Sequence, residues 1–524
     1  MKRADSFKMQ KKMIKVRVPY DTLESKQFNP MKPIFTRLKF LILLALFPGS
    51  MVFGQQLLDL ERALGIASQN SPDIRRSLLN LERSQESLNA QKAALKSQFS
   101  LSLNPVEYSR TRSFDDYYSS WYTNESLGTS GTFTVAQPIL VTDGTLSLVN
   151  RFGWQKSTSD INNIEDRSFT NNLYVSLSQP LFTYNRLRLQ LKELQLDLEN
   201  SNLSYAMQRL NLERLVTQYF YNVYMAQMSL TIAEDELANT EKSYEITKNK
   251  VDAGLAAREE LYQAELNYAT AKSNVQNQQV SLENFKDQFK QYIGMDIFEE
   301  IAVMTSVDVN PVDVDLQKAI EYGLGSRMEL RQREIDIETS QFDLVRTNAL
   351  NEFEGNMNLS VGIIGDNRKL GDIYENPTNN PRVSLSFNVP LFDWGEKKSR
   401  IKAQEAVIKT QELSFEQEKV QIIMDIRQVY RSLQNIRNQI DIAEQNERNA
   451  QLTYEINLER YANGDLTSMD LNLFQTQLSE KKMSYAQALI DYKVELLNLK
   501  IQTLYDFEQG KGIVPEELIK NNEN

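Results

Sequence analysis

The residues available for chemistry in this 524-residue chain are restricted in type, because the sequence contains no histidine and no cysteine. The absence of cysteine excludes disulfides, thiolate metal ligands and a lipidated cysteine. The absence of histidine removes the usual zinc ligand and the commonest general base. Carboxylate pairs remain possible among the 70 Asp and Glu residues, but the sequence has no compact catalytic constellation. The composition therefore favours a protein that is not an enzyme and that needs no cofactor or metal.

A short motif occurs twice, as SQPLFTYN at 178–185 and as NVPLFDWG at 388–395, with an offset of 210 residues. Each copy follows a stretch of polar and apolar alternation and precedes a long charged stretch. Proline cannot donate to a strand ladder and suits the start of a helix. The motif therefore predicts two places where a strand ends and a helix begins. The predicted strand–helix joints comprise Pro180, Leu181, Phe182, Pro390, Leu391 and Phe392.

The same offset of 210 relates YEITKNKVDAGLAAREEL (244–261) to YEINLERYANGDLTSMDL (454–471). An upstream pair of segments matches at an offset of 256, so the first copy carries an insert of 46 residues between about 100 and 180. We interpret the chain as one unit that occurs twice. The predicted divisions are an N-terminal extension with signal peptide (1–54), a first repeat (55–295), a linker (296–315), a second repeat (316–505) and a C-terminal tail (506–524).

The β segments are expected at about 100–182 and 355–392, where apolar and polar residues alternate with a period of two. All three tryptophans, Trp121, Trp154 and Trp394, lie in or beside these segments. Tryptophan favours membrane–water interfaces. Strands with one apolar face, one polar face and aromatic ends are typical of outer-membrane barrels.

Long helical hairpins are expected at about 185–293 and 395–503. From Ile422 to Ala443 the apolar residues are spaced alternately by four and three, and the positions 210 residues earlier are also apolar. This spacing is the seam of a coiled coil. No proline or glycine interrupts residues 185–252, so the first helix is predicted to be roughly 100 Å long. Gly254 and Gly464 would then permit the turns.

Residues 31–55 read as a secretory signal peptide, with a basic start, a short apolar core and small residues that predict cleavage near 54/55. Met31 is an alternative start. Residues 1–54 hold 11 Lys and Arg against 3 Asp and Glu, so the net charge changes from −11 for the whole chain to −19 for the remainder. Such an acidic exported protein is a poor nucleic-acid partner.

The strand count predicts an assembly. Two strands per repeat give about four per chain, which cannot close a barrel, and open edges are not viable in lipid. Three chains would supply twelve strands. The insert contains alternation on both sides of a turn signal at Thr142, Asp143 and Gly144. We interpret residues 131–154 as a surface hairpin, the alternative being extra strands that raise a trimer to eighteen.

Over nearly its whole mature length the chain resembles the outer membrane efflux protein family, the TolC-like channels. The resemblance rests on the repeated motif, on VPLFDWGEKKSRIKAQEA and on the glycine turns VDAGLAAREEL and YANGDLTSMDL. It implies a mainly α fold with membrane β: long antiparallel coiled-coil helices form a periplasmic α-barrel, joined to an outer-membrane β-barrel that a homotrimer completes. The implied function is the passive exit duct of a tripartite efflux pump or type I secretion system, in the cell outer membrane with helices extending into the periplasm.

The resemblance also implies site residues and partners. Gly254, Leu255 and Gly464 would form tips that face a periplasmic adaptor (a membrane fusion protein), which couples the duct to an inner-membrane transporter. Asp470 matches the first of two acidic gate residues of the family, but Leu473 stands at the second place, so a doubled acidic ring is not expected. The alternative function is an exported coiled-coil scaffold or surface-polymer-binding protein without channel activity.

Overall fold

The computed structural model describes residues 56–117, 119–159, 164–304 and 309–513. The predicted signal peptide and the last part of the predicted tail, residues 514–524, lie outside the described residues. We call the described residues up to 304 the first half and those from 309 onward the second half.

Each half has the same order of elements: two shorter helices, a β segment and two long helices. The helices of the first half are α1 (Leu60–Asn70), α2 (Pro72–Ala94), α3 (Arg186–Asp252) and α4 (Arg258–Ile293). Those of the second half are α5 (Leu316–Ser326), α6 (Met328–Asn348), α7 (Glu396–Asn463) and α8 (Ser468–Thr503). A 3-10 turn lies at Leu370–Asp372.

The long helices occur where the heptad pattern predicts them. Helix α3 has 67 residues and α7 has 68, and at ~1.5 Å per residue each is about 100 Å long. Helix α3 packs on α4, α7 packs on α8, and α3 also contacts α8. The seam residues Val216, Val223, Ile422 and Ile426 are buried. None of the helices in the described ranges contains an 18-residue stretch apolar enough to cross a membrane.

The strands divide between one large sheet and two small pairs. In chain order they are β1 (Gln56–Leu58), β2 (Gln98–Asp115), β3 (Ser120–Ile139), β4 (Gly144–Ser159), β5 (Ile164–Leu181), β6 (Ile301–Val303), β7 (Glu354–Asn367), β8 (Thr378–Asn379), β9 (Arg382–Asn388), β10 (Tyr505–Asp506) and β11 (Lys511–Gly512). Strand β1 pairs with β6, which lies in the predicted linker, and β10 pairs with β11.

The large sheet is an antiparallel meander. Its order is β2-β3-β4-β5-β7, and both β8 and β9 pair with β7. Strands β8 and β9 lie along the same side of β7, separated only by residues 380 and 381, so together they occupy one strand position. The described sheet therefore has six strand positions, and its two edge positions are paired on one side only.

The preferred interpretation of residues 131–154 as a surface hairpin is wrong, and so is the count of four strands per chain. These residues belong to β3 and β4, which pair with each other from Asn124 to Ile139 and continue the sheet on both sides. Their connecting turn lies at the helix-bearing end of the sheet. Alternation and a turn signal fit both a separate hairpin and two sheet strands, because neither signal identifies the neighbouring strand.

Candidate functional site: two sheet–helix joints and two helical tips

The large sheet has one apolar face. Residues directly opposite each other in a ladder share a face, and one such row reads Phe99, Val135, Leu148, Val175 and Val361 across five strands. Most of these side chains are exposed, and Phe99 keeps 70% of its surface. We call this surface the apolar face. A monomer in water would not leave such a continuous apolar band uncovered.

The apolar face becomes charged at the end of the sheet farthest from the helices. There Arg110 pairs with Glu125 at 3.2 Å, and Lys156 pairs with Glu165 at 3.0 Å. Trp154 lies on β4 between this charged region and the apolar rows, directly opposite Phe169 of β5. The apolar band on β4 thus extends from Leu146 to Trp154.

The opposite face of the sheet is polar. One row consists of Ala136, Ser147, Ser176, Ser360 and Arg382. Small, hydroxyl and amide side chains dominate this face, and Arg151 and Arg382 add charge to it, so it can border water.

At the first joint, Pro180 is still opposite Asn356 in the ladder, β5 ends at Leu181, and α3 begins at Arg186. Phe182 takes a positive φ of 61°, an uncommon conformation for an aromatic residue. Its ring lies 5.2 Å from that of Phe353. The first joint is thus held by contacts within the chain.

The turn between β3 and β4 reinforces the first joint. Asn185 caps α3 by accepting from the backbone N–H of Arg188, and its amide donates to the carbonyls of Leu140 at 2.6 Å and Val141 at 3.1 Å. Asp143 accepts from the N–H of Leu187 at 3.0 Å, and its side chain is only 8% exposed.

These contacts place a carboxylate at the positive end of a long helix dipole, where an anion is stabilising. The turn and the helix start therefore form one unit.

The second joint has contacts of its own but leaves its apolar side chains exposed. Asn351 forms a hydrogen bond with the Asp393 side chain, and Lys397 Nζ lies 3.8 Å from a carboxylate oxygen of Glu352. Strand β9 ends at Asn388, two residues before Pro390, and α7 begins at Glu396. Leu391 is 91% exposed and Trp394 is 90% exposed; the Trp394 and Phe392 rings contact each other edge to face at 4.6 Å.

The bend of the second joint depends on Asp393 and on a glycine. Trp394 and Gly395 both have positive φ. The Asp393 carboxylate accepts from the N–H groups of Gly395 and Lys397. These two hydrogen bonds lower the pKa of Asp393 below its usual range, so the carboxylate remains ionised at neutral pH and keeps its cap on the helix.

The two tips are alike. Gly254 and Gly464 have φ of +72° and +87°, and a Cβ at either position would meet nothing within 4 Å. In each tip the following residue closes the helix end, since Leu255 donates to the carbonyl of Lys250 and Asp465 donates to that of Arg460. Because α3 and α7 are each about 100 Å long, these turns lie far from the joints.

Asp470 lies in the first turn of α8. Its N–H donates to Thr467 Oγ1 at 3.2 Å, and its carboxylate accepts from the same hydroxyl at 2.7 Å. Asp470 is exposed, as is Leu473, with 54% of its surface. Glu260 is likewise exposed in the first turn of α4. Asp470 thus has a local capping role besides any role in a pore.

Tyr461 joins the two helical hairpins near the tips. Its side chain is 4% exposed, and its hydroxyl lies 3.0 Å from Ser243 Oγ and 3.1 Å from Thr247 Oγ1 of α3. Lys250 lies over the Tyr461 ring at 5.1 Å. This contact connects α7 of the second half to α3 of the first.

The profile of the family described as outer membrane efflux protein matches residues 145–294 and 354–501, more than half of the chain. The chain belongs to the outer membrane efflux protein family. Each matched segment contains two strand positions followed by two long helices. No curated protein sequence matches the chain significantly.

Solved structures of TolC-like outer membrane channels share the fold of this efflux-family chain. The CmeC outer membrane channel of Campylobacter jejuni has 13% identity and a TM-score of 0.66, with 88% of each chain covered. The outer membrane protein VceC of Vibrio cholerae has 14% identity and a TM-score of 0.62, with 87% of this chain and 97% of that chain covered. The open-state MtrE outer membrane channel of Neisseria gonorrhoeae has 14% identity and a TM-score of 0.62, over 87% and 91%.

Sequence reasoning missed several residues that shape the joints and tips of this efflux-family protein. Asn185 and Asp393 carry the signal of a polar residue just before a helix, and could have been found from it. Tyr461 has no such signal, because its partners are more than 200 residues away. In the part of the chain that the structure describes, no cluster of carboxylates could hold a metal ion.

Proposed function

We propose that this protein is the outer-membrane exit duct of an efflux pump or type I secretion system and that it transports its substrate passively. The observation that carries the proposal is a sheet with an apolar and a polar face, joined directly to two helices that are each about 100 Å long. The apolar face would contact outer-membrane lipid, and the polar face would line the passage. The helices would continue this passage through the periplasm.

The working form in this proposal is a homotrimer. The described sheet is open at β2 and β9, and open edges are not viable in lipid because their N–H and C=O groups lack partners. Pairing between copies removes these edges. The exposed Leu391 and Trp394 of the second joint would then lie against the next copy and the periplasmic membrane surface, where tryptophan is favoured.

The tips are proposed as the adaptor-facing end. Gly254, Leu255 and Gly464 would bind a periplasmic adaptor, which in turn engages an inner-membrane transporter. Leu255 supports this assignment because it is 80% exposed at a turn. Asp470, near the tip, would form a ring of three carboxylates in a trimer and attract cations to the pore constriction.

Cell fractionation tests the proposal against the alternative of an exported coiled-coil scaffold. We expect the protein in the outer membrane as an oligomer that dissociates on heating, and we expect the purified oligomer to conduct ions in planar bilayers. A protein recovered only as a soluble periplasmic monomer would contradict the membrane assignment. An outer-membrane oligomer with no conductance would instead favour the scaffold.

A further inference from the structure

The first half contributes more strands than the family match accounts for. The matched segments begin at residue 145 and residue 354, so they contain β4, β5, β7 and the β8–β9 position. Strands β2 and β3 lie outside them, yet β3 pairs with β4 over 16 residue pairs, from Asn124 to Ile139. The additional hairpin is therefore part of the same sheet.

The additional strands have the same two faces as the others. On β2, Phe99, Leu101 and Leu103 lie opposite Val135, Phe133 and Gly131 of β3. Leu101 is 64% exposed and Leu103 is 65% exposed. A hairpin in water would not need an apolar face in register with that of its neighbours. This continuity of the apolar face indicates that β2 and β3 are surrounded by the same medium as β4, β5 and β7.

The additional hairpin is also fixed at the level of the joints. The turn that connects β3 to β4 is bound to the start of α3 through Asp143 and Asn185. Strand β2 begins at Gln98, only a few residues after α2 ends at Ala94. Both ends of the hairpin base are thus attached to helices that pack on each other, α2 and α3.

The two open edges are compatible with each other. In a meander of six positions, the first and last strands run in opposite directions, so β2 of one copy and β9 of the next would pair antiparallel. This is the arrangement that outer-membrane barrels use throughout.

We propose that each chain contributes six strands to the outer-membrane wall, so that three copies close an eighteen-strand barrel by pairing β2 of one copy with β9 of the next. This inference rests on the proposed duct function. With strands ~4.8 Å apart and tilted by ~40°, eighteen strands give a barrel about 36 Å in diameter, against about 24 Å for twelve. The outer-membrane section would then be about one and a half times as wide as a twelve-strand barrel.

Single cysteines provide a clean test, because the chain has none of its own. Leu101→Cys and Val135→Cys place a label on the apolar face of the additional hairpin, and Val175→Cys does so on β5. The matched variants Ser102→Cys, Thr134→Cys and Ser176→Cys place it on the polar face. Each purified oligomer is labelled with a fluorophore and reconstituted in vesicles with and without doxyl-labelled lipid.

We expect quenching by doxyl lipid at Leu101→Cys and Val135→Cys to be within twofold of that at Val175→Cys, with little quenching in the three polar-face variants. Quenching at Val175→Cys alone would overturn the eighteen-strand barrel while leaving the duct intact. No quenching at any position would overturn the proposed function itself.

A second measurement sizes the passage. Polyethylene glycols of increasing size are added on the extracellular side of a planar bilayer, and the largest polymer that still alters the current is recorded. Deleting residues 97–140 would remove β2 and β3 while keeping Asp143. We expect the limiting polymer radius to fall by about one third. An unchanged limit in a variant that still forms conducting trimers would contradict the wider barrel.

Discussion

The two joints differ although their sequences are similar. The first joint is held within the chain: Asn185 and Asp143 bind the start of α3 to the β3–β4 turn, and Phe182 contacts Phe353. The second joint leaves Leu391 almost fully exposed. Both helices nevertheless begin at positions 210 residues apart, Arg186 and Glu396.

This difference shows that a repeated motif can fix a local bend without fixing what surrounds it. In the first half, the additional strands supply the neighbouring groups. In the second half, Asn351 and Glu352 contact the start of α7, but Leu391 and Trp394 stay exposed. In the proposed trimer the next copy would cover these two side chains. Changes at the first joint should therefore affect the stability of each chain, and changes at the second joint should affect assembly.

The largest effect is expected at the second joint. Combined Leu391→Ser and Trp394→Ser should lower the yield of trimer at least fivefold, because covering an apolar side chain of this size contributes about 1.5–3 kcal/mol per copy. The measurement is the trimer-to-monomer ratio on unheated gels. Tyr184→Ser, at the position equivalent to Trp394, is the control and should change the ratio little. Equal losses in both variants would remove the distinction between the joints.

The next effect is expected from the two capping carboxylates. Asp143→Ala should destabilise the protein by about 2 kcal/mol, since helix caps are worth ~0.5–2 kcal/mol, and Asp393→Ala should destabilise it less. Asp143 is the more buried of the two caps. The unfolding temperature of the protein, followed by circular dichroism, measures both. Asp143→Asn keeps an acceptor and should recover most of the lost stability. A larger loss in Asp393→Ala than in Asp143→Ala would contradict the view that the first joint is the one held more firmly within the chain.

The tip glycines should behave alike, in contrast to the joints. Gly254→Val and Gly464→Val each force a β-branched side chain into positive φ at a cost of about 1–2 kcal/mol, although the added Cβ itself meets nothing within 4 Å. We expect export to fall while trimers persist. Asn tolerates positive φ better, so Gly254→Asn and Gly464→Asn are the milder controls. Loss of trimers in any of the four would show that the tips also hold the assembly together.

Tyr461 should reveal an asymmetry at the tips. Tyr461→Phe removes the hydroxyl that lies within hydrogen-bond distance of Ser243 and Thr247, which should cost about 1 kcal/mol and raise the fraction of time that the pore is open. The equivalent position in the first half is Val251, and Val251→Ala is the control. Single-channel recording measures the open fraction of the pore in both variants. Identical open fractions would mean that this contact only stabilises the hairpins.

The smallest effect on stability is expected at Asp470. Asp470→Asn keeps a side-chain acceptor for Thr467 but removes the charge, so trivalent cations added on the periplasmic side should block the pore severalfold less strongly. Glu260→Gln is the matched change in the first half. An unchanged block in Asp470→Asn, together with a weaker one in Glu260→Gln, would move the acidic ring to the first half.

Part of this structure could be predicted from sequence and part could not. The heptad positions around Val216 and Ile426 predict α3 and α7, because helix periodicity is a local property that persists over many turns. The role of residues 131–154 was predicted incorrectly, since strand pairing depends on neighbours that the alternation does not identify. The gate residue remains untested by the fold. Tyr461 could not have been predicted, because its buried contacts join segments that are distant in the sequence.

The strands of the large sheet differ in height, and this has a consequence at the cell surface. Beyond the level of Trp154, β3 continues for nine residues and β4 for five, whereas β7 ends close to that level. In the proposed trimer the rim of the barrel would therefore be uneven. Each copy would contribute one high segment, which we call a lobe, around β3 and β4, and one low segment at β7. The lobes would stand roughly 20 Å above the lipid at ~3.3 Å per residue and a moderate tilt. Molecules that approach the cell from outside would therefore meet these lobes before they reach the barrel.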